Sequence, residues 1–180
     1  MQPRNDAVDP VARPLVLTGG PAVGKTTTGR LLAESRARAA FIDVDDVRQL
    51  VVAGAEAPWR GPEGAVQAAL AAENAGGMAK RFRTEGFDVV IVDVLTPATS
   101  AIYRRMLRTC LIVHLRADLD EARRRARTRR VWLTDDEFEL LHRRDQEAPP
   151  EADAVIEVAG LTVEQQVAAV AALWQRPAPQ

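Results

Sequence analysis

Short continuous apolar runs recur along the chain at residues 15–18, 41–44, 88–92 and 110–115, with a weaker one at 154–158, each of the length of a buried strand. Between them the period changes to that of helices. Leu31 and Leu32 lie in a helical pattern that opens near Lys25, a short helix is predicted over 46–52, and an Ala-rich one over 64–85. The last is expected to turn Val66, Leu70, Met78 and Phe82 inward, with Gly76-Gly77 weakening it locally. Thr96-Pro97 opens a helix to about 108, and an Arg-dense helix covers 118–129. The capping boxes Thr134-x-x-Glu137 and Thr162-x-x-Gln165 open two more, the first closed by Pro149-Pro150 and the second reaching Trp174. Residues 54–64, around Trp59, read as a loop. Strands alternating with helices specify an α/β three-layer sandwich: a five-stranded, mainly parallel sheet with helices on both faces. Residues 1–13 and 177–180 are expected to be tails, the first disordered, flanking one domain over 14–176.

Composition narrows the setting. With 180 residues, 47% apolar and 27% charged, the chain can bury a core without disulfides, and its one cysteine, Cys110, offers none. No apolar run is long enough for a membrane span, and the N-terminus lacks a signal-peptide pattern, so a soluble cytoplasmic protein is expected. A net charge of −1 and 4% aromatic residues argue against long nucleic acid as a partner. Lysine occurs only at Lys25 and Lys80, the other basic residues being arginine.

One of those lysines stands in a motif. Gly19-Gly20-Pro21-Ala22-Val23-Gly24-Lys25-Thr26 fits G-x-x-x-x-G-K-S/T between a strand and a helix, the context that gives the pattern meaning. Such a loop aims backbone N–H groups at phosphate oxygens, and the helix adds its positive dipole end. Lys25 would reach the β- and γ-phosphates of ATP or GTP, Thr26 would offer its hydroxyl to Mg²⁺, and Thr27 would bond the α-phosphate.

The acceptor side follows the second strand, where Asp43-x-Asp45-Asp46-x-Arg48 falls on the same sheet edge as the cradle. A carboxylate there can take the proton of an attacking hydroxyl, and Asp45 is the expected general base. Arg48, one helical turn on, would pair with it or touch the acceptor. Asp46 reads equally as an N-cap, and Asp43 as a group that orients Asp45. Asp93, ending the run 88–92, stands where an acid would serve Mg²⁺ through water or touch the acceptor. Trp59 either lines an acceptor pocket or closes the core. Cys110, His114 and His142 have no ligand spacing and read as structural.

On these motifs, together with the Arg-rich helix near residue 125, the chain after its tail resembles the small P-loop kinases that include chloramphenicol phosphotransferase and the kinase domain of phage polynucleotide kinase. The resemblance implies that Asp45 is the general base, that Arg48 positions it, and that a mobile lid spans about 125–133. Within the lid, Arg125 and Arg129 stand at i and i+4 and align with the paired γ-phosphate arginines of those kinases. The expected activity is NTP-dependent phosphoryl transfer to a hydroxyl of a small molecule, an antibiotic of chloramphenicol or nucleoside type being the attractive acceptor. A nucleoside or polynucleotide 5′-hydroxyl kinase and a non-catalytic nucleotide sensor are the alternatives. Oligomeric state is not legible from the sequence.

Overall fold

The computed structural model describes residues 11–127 and 133–175. Strands β1 (Leu15–Thr18), β2 (Ala39–Asp43), β3 (Asp88–Val92), β4 (Leu111–Arg116) and β5 (Ala154–Glu157) form one sheet in the order β2-β3-β1-β4-β5, all pairings parallel. The helices of the described residues are α1 (Lys25–Glu34), α2 (Val44–Arg48), α3 (Gly61–Thr84), α4 (Pro97–Met106), α5 (Leu119–Ala126), α6 (Asp135–Glu147) and α7 (Val163–Trp174). The predicted architecture is therefore found, with a sheet that is wholly parallel. No described helix is long and apolar enough to cross a membrane.

Both faces of the central strands are covered, which is why their runs are apolar without alternation. Val16, Ile91 and Ile112 turn to one face, where they pack with Val44, Ala72 and Tyr103 from α2, α3 and α4. Leu17, Val90 and Val113 turn to the other, against Leu32 of α1 and Val170 and Trp174 of α7. A third, small cluster joins Ala22 of the Gly-rich turn to Ala122 of α5 and Phe138 of α6. The segments on either side of the lid region are thereby fastened beneath the turn.

The facing of α3 departs from the sequence reading. Val66, Leu70, Met78 and Phe82 are exposed, and the buried stripe is Ala68, Ala71, Ala72, Ala75, Gly76 and Ala79. Small residues let the helix approach the sheet and α4 closely. A Cβ on Gly76 would come within 2.9 Å of Met106 Sδ, so this glycine, expected to weaken the helix, lets α3 and α4 approach closely. Ala72→Leu is accordingly expected to destabilise by about 1–3 kcal/mol through overpacking. Val66→Gln, at 62% exposure, should stay within about 0.5 kcal/mol. Urea unfolding of the two variants checks this, and a reversed order would restore the larger side chains to the core.

Two boundaries also move. Residues 11–13 are not a loose tail: Ala12 N donates to Asp88 Oδ1 at 2.7 Å, and Trp174 Nε1 donates to Arg13 O at 2.7 Å. The tails 1–10 and 177–180 lie outside the described residues. Helix α2 opens on Asp43, whose side chain accepts from Asp45 N, and not on Asp46; it ends at Arg48, leaving Leu50 and Val52 exposed.

Candidate active site

The crevice beyond the carboxyl ends of β1, β2 and β3 is where an open parallel sheet accepts ligands. The Gly-rich turn leaves β1 there with a backbone that only particular residues tolerate. Gly19 has φ 137°, and a Cβ would lie 2.1 Å from Leu115 O; Gly24 has φ 93°. Ala22, at φ 62°, adopts the left-handed region without being glycine and is held there by its packing. Among the described helices α1 alone has neither a side-chain cap nor an acid in its first turn. Its first N–H groups are thus left for an anion. Lys25 Nζ donates to Gly19 O and Gly20 O, each at 2.8 Å, folding over the turn it serves. Behind the loop, the buried Gln166 of α7 donates from Nε2 to Val23 O at 3.0 Å and to Thr28 Oγ1 at 2.8 Å.

Asp43 joins this cradle to the acidic segment. One carboxylate oxygen accepts from Thr26 Oγ1 at 3.2 Å, and the other accepts from Asp45 N at 3.1 Å. Burial pushes the Asp43 carboxyl up, with the charges of Asp45 and Asp46 adding to it, while the Asp45 N–H and Thr26 hydroxyl draw it down. A hydroxyl and a carboxylate oxygen so placed fit the hard donor preference of Mg²⁺, which keeps several waters and needs few protein ligands. No larger group of metal-binding side chains occurs among the described residues.

Asp45 is open to solvent, its side chain 75% exposed, and it is aimed by a buried partner. Arg48 Nη1 donates to Asp45 Oδ1 at 2.6 Å, and Nη2 donates to Asp93 Oδ1 at 2.5 Å. Burial works against the Arg48 charge, but Asp93 and Asp45 more than offset it and leave its pKa above the ordinary value. Asp93 is fully buried. Its second oxygen accepts from the Tyr103 hydroxyl at 3.0 Å, and Oδ1 also accepts from Val94 N at 2.8 Å. Burial and then the Asp93 charge push the Tyr103 hydroxyl far up, so it remains a donor. The oxygens of Asp93 are therefore committed within the protein, and the carboxylate beside Thr26 is that of Asp43. Asp93 is the buried link of a Tyr103–Asp93–Arg48–Asp45 chain of hydrogen bonds.

Of the two lid arginines expected from the sequence, Arg125 lies within the described residues and is bonded to its neighbours. Arg125 Nε donates to Glu121 Oε1 at 2.6 Å, while its Nη atoms reach Gln166 Oε1 at 3.1 Å and Val158 O at 2.5 Å. It helps to wall a cleft of about 320 Å³ together with Gly24, Thr27, Thr28, Arg124, Leu161 and Thr162. That position borders Thr27 and Thr28 of the cradle. Arg129 lies outside the described residues. Trp59 is half-buried in a loop whose next residue, Arg60, reaches Glu137 at the start of α6 at 3.3 Å. Cys110 is a core residue, and His114 bonds Asp145.

Sequence reasoning missed Tyr103, Gln166 and the double role of Asp43. Gln166 stands 143 residues from its partner Val23, and no local pattern announces such a contact.

No protein-family model matches the chain, and no curated protein sequence does. Solved structures do. A sugar kinase from Janibacter sp. HTCC2649 superposes with a TM-score of 0.68 at 15% identity, over 91% of this chain and 94% of that one. The APS kinase of Mycobacterium tuberculosis gives 0.66 at 16%, over 93% and 100%. The Deinococcus radiodurans tunicamycin resistance protein gives 0.64 at 17%, over 93% and 99%. These likenesses do not carry the narrower resemblance to chloramphenicol phosphotransferase. Sheet order, Gly-rich cradle and whole-chain superposition together establish that the chain has the fold of the P-loop kinases.

Proposed function

We propose that this chain transfers the terminal phosphoryl group of ATP or GTP, with Mg²⁺, to a hydroxyl of a small molecule. The observation that carries this reading is the placement of Asp45. An exposed carboxylate is fixed by a buried arginine and joined through Asp43 to Thr26 of the phosphate cradle. A nucleotide sensor has no use for a carboxylate so held.

In the reaction Asp45 accepts the proton of the acceptor hydroxyl as its oxygen forms the new bond to phosphorus. The bond from phosphorus to the bridging β–γ oxygen breaks, and the diphosphate leaves with that electron pair. Lys25 follows the charge on the β- and γ-oxygens, and the first-turn N–H groups of α1 hold the phosphates in line. Thr26 and Asp43 would hold Mg²⁺, which supplies charge neutralisation to the phosphates when bound.

The acceptor side favours a molecule without negative charge. Arg48 is spent on Asp45 and Asp93, and Arg60 on Glu137, while Leu50 and Val52 lie open just after α2. A neutral antibiotic with an apolar body, of chloramphenicol or nucleoside type, suits that chemistry, and the tunicamycin resistance protein among the structural neighbours is consistent with it. The test is diphosphate release with ATP and GTP against neutral antibiotics, nucleosides, shikimate and a 5′-hydroxyl oligonucleotide. Stimulation by a neutral small molecule, with transfer of the γ-phosphate to its hydroxyl, is expected. Stimulation by the oligonucleotide alone would replace this reading with a polynucleotide kinase, and tight nucleotide binding without transfer to any acceptor would favour the sensor.

A further inference from the structure

Helix α6 presents two ionisable side chains to the cradle. A Cβ on Gly20 would lie 3.4 Å from His142 Nδ1 and 3.6 Å from Asp145 Oδ2. Asp145 is already occupied, both of its oxygens lying 3.0 Å from His114 Nε2 within β4. His142 is different. It is only 4% exposed, and its Nδ1 is shielded from water and has no hydrogen-bond partner among the described residues.

The protonation of that ring follows from its neighbours. Gln146 Nε2 lies 3.3 Å from Ala117 O, which can only accept, so the amide turns its nitrogen to this side. The same nitrogen is 3.2 Å from His142 Nε2, which must then be the accepting atom of the ring. Burial lowers the His142 pKa, with Arg123 acting the same way and Asp145 and Asp118 opposing it, so the ring is neutral at pH 7. Its one proton is therefore on Nδ1. The result is an oriented N–H donor, held by Gln146 and left unmade beside Gly20. Buried donors are rarely left so without a use.

We infer that His142 is a nucleotide-binding residue whose Nδ1–H donates to an oxygen of the terminal phosphate in the cradle. This rests on the cradle being a nucleoside triphosphate site. The direction of the cradle selects the terminal phosphate. Lys25 Nζ, the β,γ-phosphate ligand of this motif, is held by the carbonyls of Gly19 and Gly20, the segment that touches His142. The nucleoside end is the cleft by Thr27 and Leu161. On this assignment a triphosphate reaches the donor beside Gly20, whereas a diphosphate stops short of it.

Calorimetric titration of the Mg²⁺ complexes of β,γ-imido-ATP and β,γ-imido-GTP, against ADP and GDP, tests this. His142→Phe is expected to weaken imidotriphosphate binding about tenfold, the loss of one hydrogen bond to a charged acceptor, and to leave diphosphate binding unchanged. His142→Asn, whose amide nitrogen stands near the place of Nδ1, should recover most of the affinity. Gln146→Leu, which frees the ring to move its proton to Nε2, should reproduce the triphosphate-selective loss without touching His142. Equal losses for tri- and diphosphate, or none, in variants that melt as the wild type does would overturn the assignment while leaving the cradle intact. Absence of all nucleotide binding by the wild type would remove the cradle reading itself.

Discussion

Arg48→Met is expected to cost about 3–5 kcal/mol of stability and to abolish turnover, because it strands a buried carboxylate. The Asp93 side chain has 0% exposure and Arg48 only 17%, so the pair is shielded and its charges are not screened by water. With the guanidinium gone, Asp93 keeps the Tyr103 hydroxyl and the Val94 N–H, two neutral donors, and no compensating charge. Asp45 loses its orientation in the same step. Arg48→Lys should recover little, since one ammonium on a flexible stem cannot span two carboxylates as the planar guanidinium does. The double variant Arg48→Met with Asp93→Asn separates the two effects. It should regain much of the stability, the buried charge being absent, but none of the activity, Asp45 being still unheld. Urea unfolding and phosphoryl-transfer rates measure both. A wild-type unfolding midpoint for Arg48→Met would mean that the Arg48–Asp93 pair does not support the fold.

Asp45→Asn should lower kcat by about 10²–10⁴-fold, the range for loss of a general base. The folded state should barely register it. The Asp45 side chain is 75% exposed, and exposed ion pairs contribute about 0–1 kcal/mol. Nucleotide affinity should also hold, because Thr26 and the backbone of Asp45 are both served by Asp43 and not by the Asp45 carboxylate. Activity lost with binding and stability kept marks a group that acts on the acceptor proton. Retained turnover would place the base elsewhere.

The two variants probe one chain of contacts whose parts were unequally legible. Asp45 and Arg48 are three residues apart on a helix and follow a strand, so their pairing is a local matter that spacing determines. Tyr103 joins the chain from α4, and nothing in its neighbourhood along the sequence, an ordinary amphipathic turn, distinguishes it from a core tyrosine. Asp93 was legible as an acid at a strand end but not as a buried one. Its environment is set by Arg48 and Tyr103, which lie 45 and 10 residues away.

The helices show the same division. The capping boxes at Thr134 and Thr162 form as their sequences specify, since each cap is complete within four residues. The facing of α3 does not follow from the size of its side chains. Either side of a long Ala-rich helix can be buried, and here the small residues pack against the sheet core while Gly76 meets Met106 of α4. Arg125 likewise stands in the predicted helix, but where its guanidinium goes depends on the carbonyl of Val158 and the side chain of Gln166, both beyond the lid region.

What the sequence determined by itself is whatever is complete within one turn or one strand-to-helix junction. That covers the alternation of elements, the cradle from Gly19 to Thr26, the caps, and the Asp45–Arg48 pair. Only the tertiary structure decided which carboxylate meets Thr26, which groups Arg125 meets, and which face of α3 is buried. It also placed the unpartnered Nδ1 of His142 near Gly20. Those outcomes depend on groups brought together across the sheet, and their energies come from burial and from partners that sequence distance conceals.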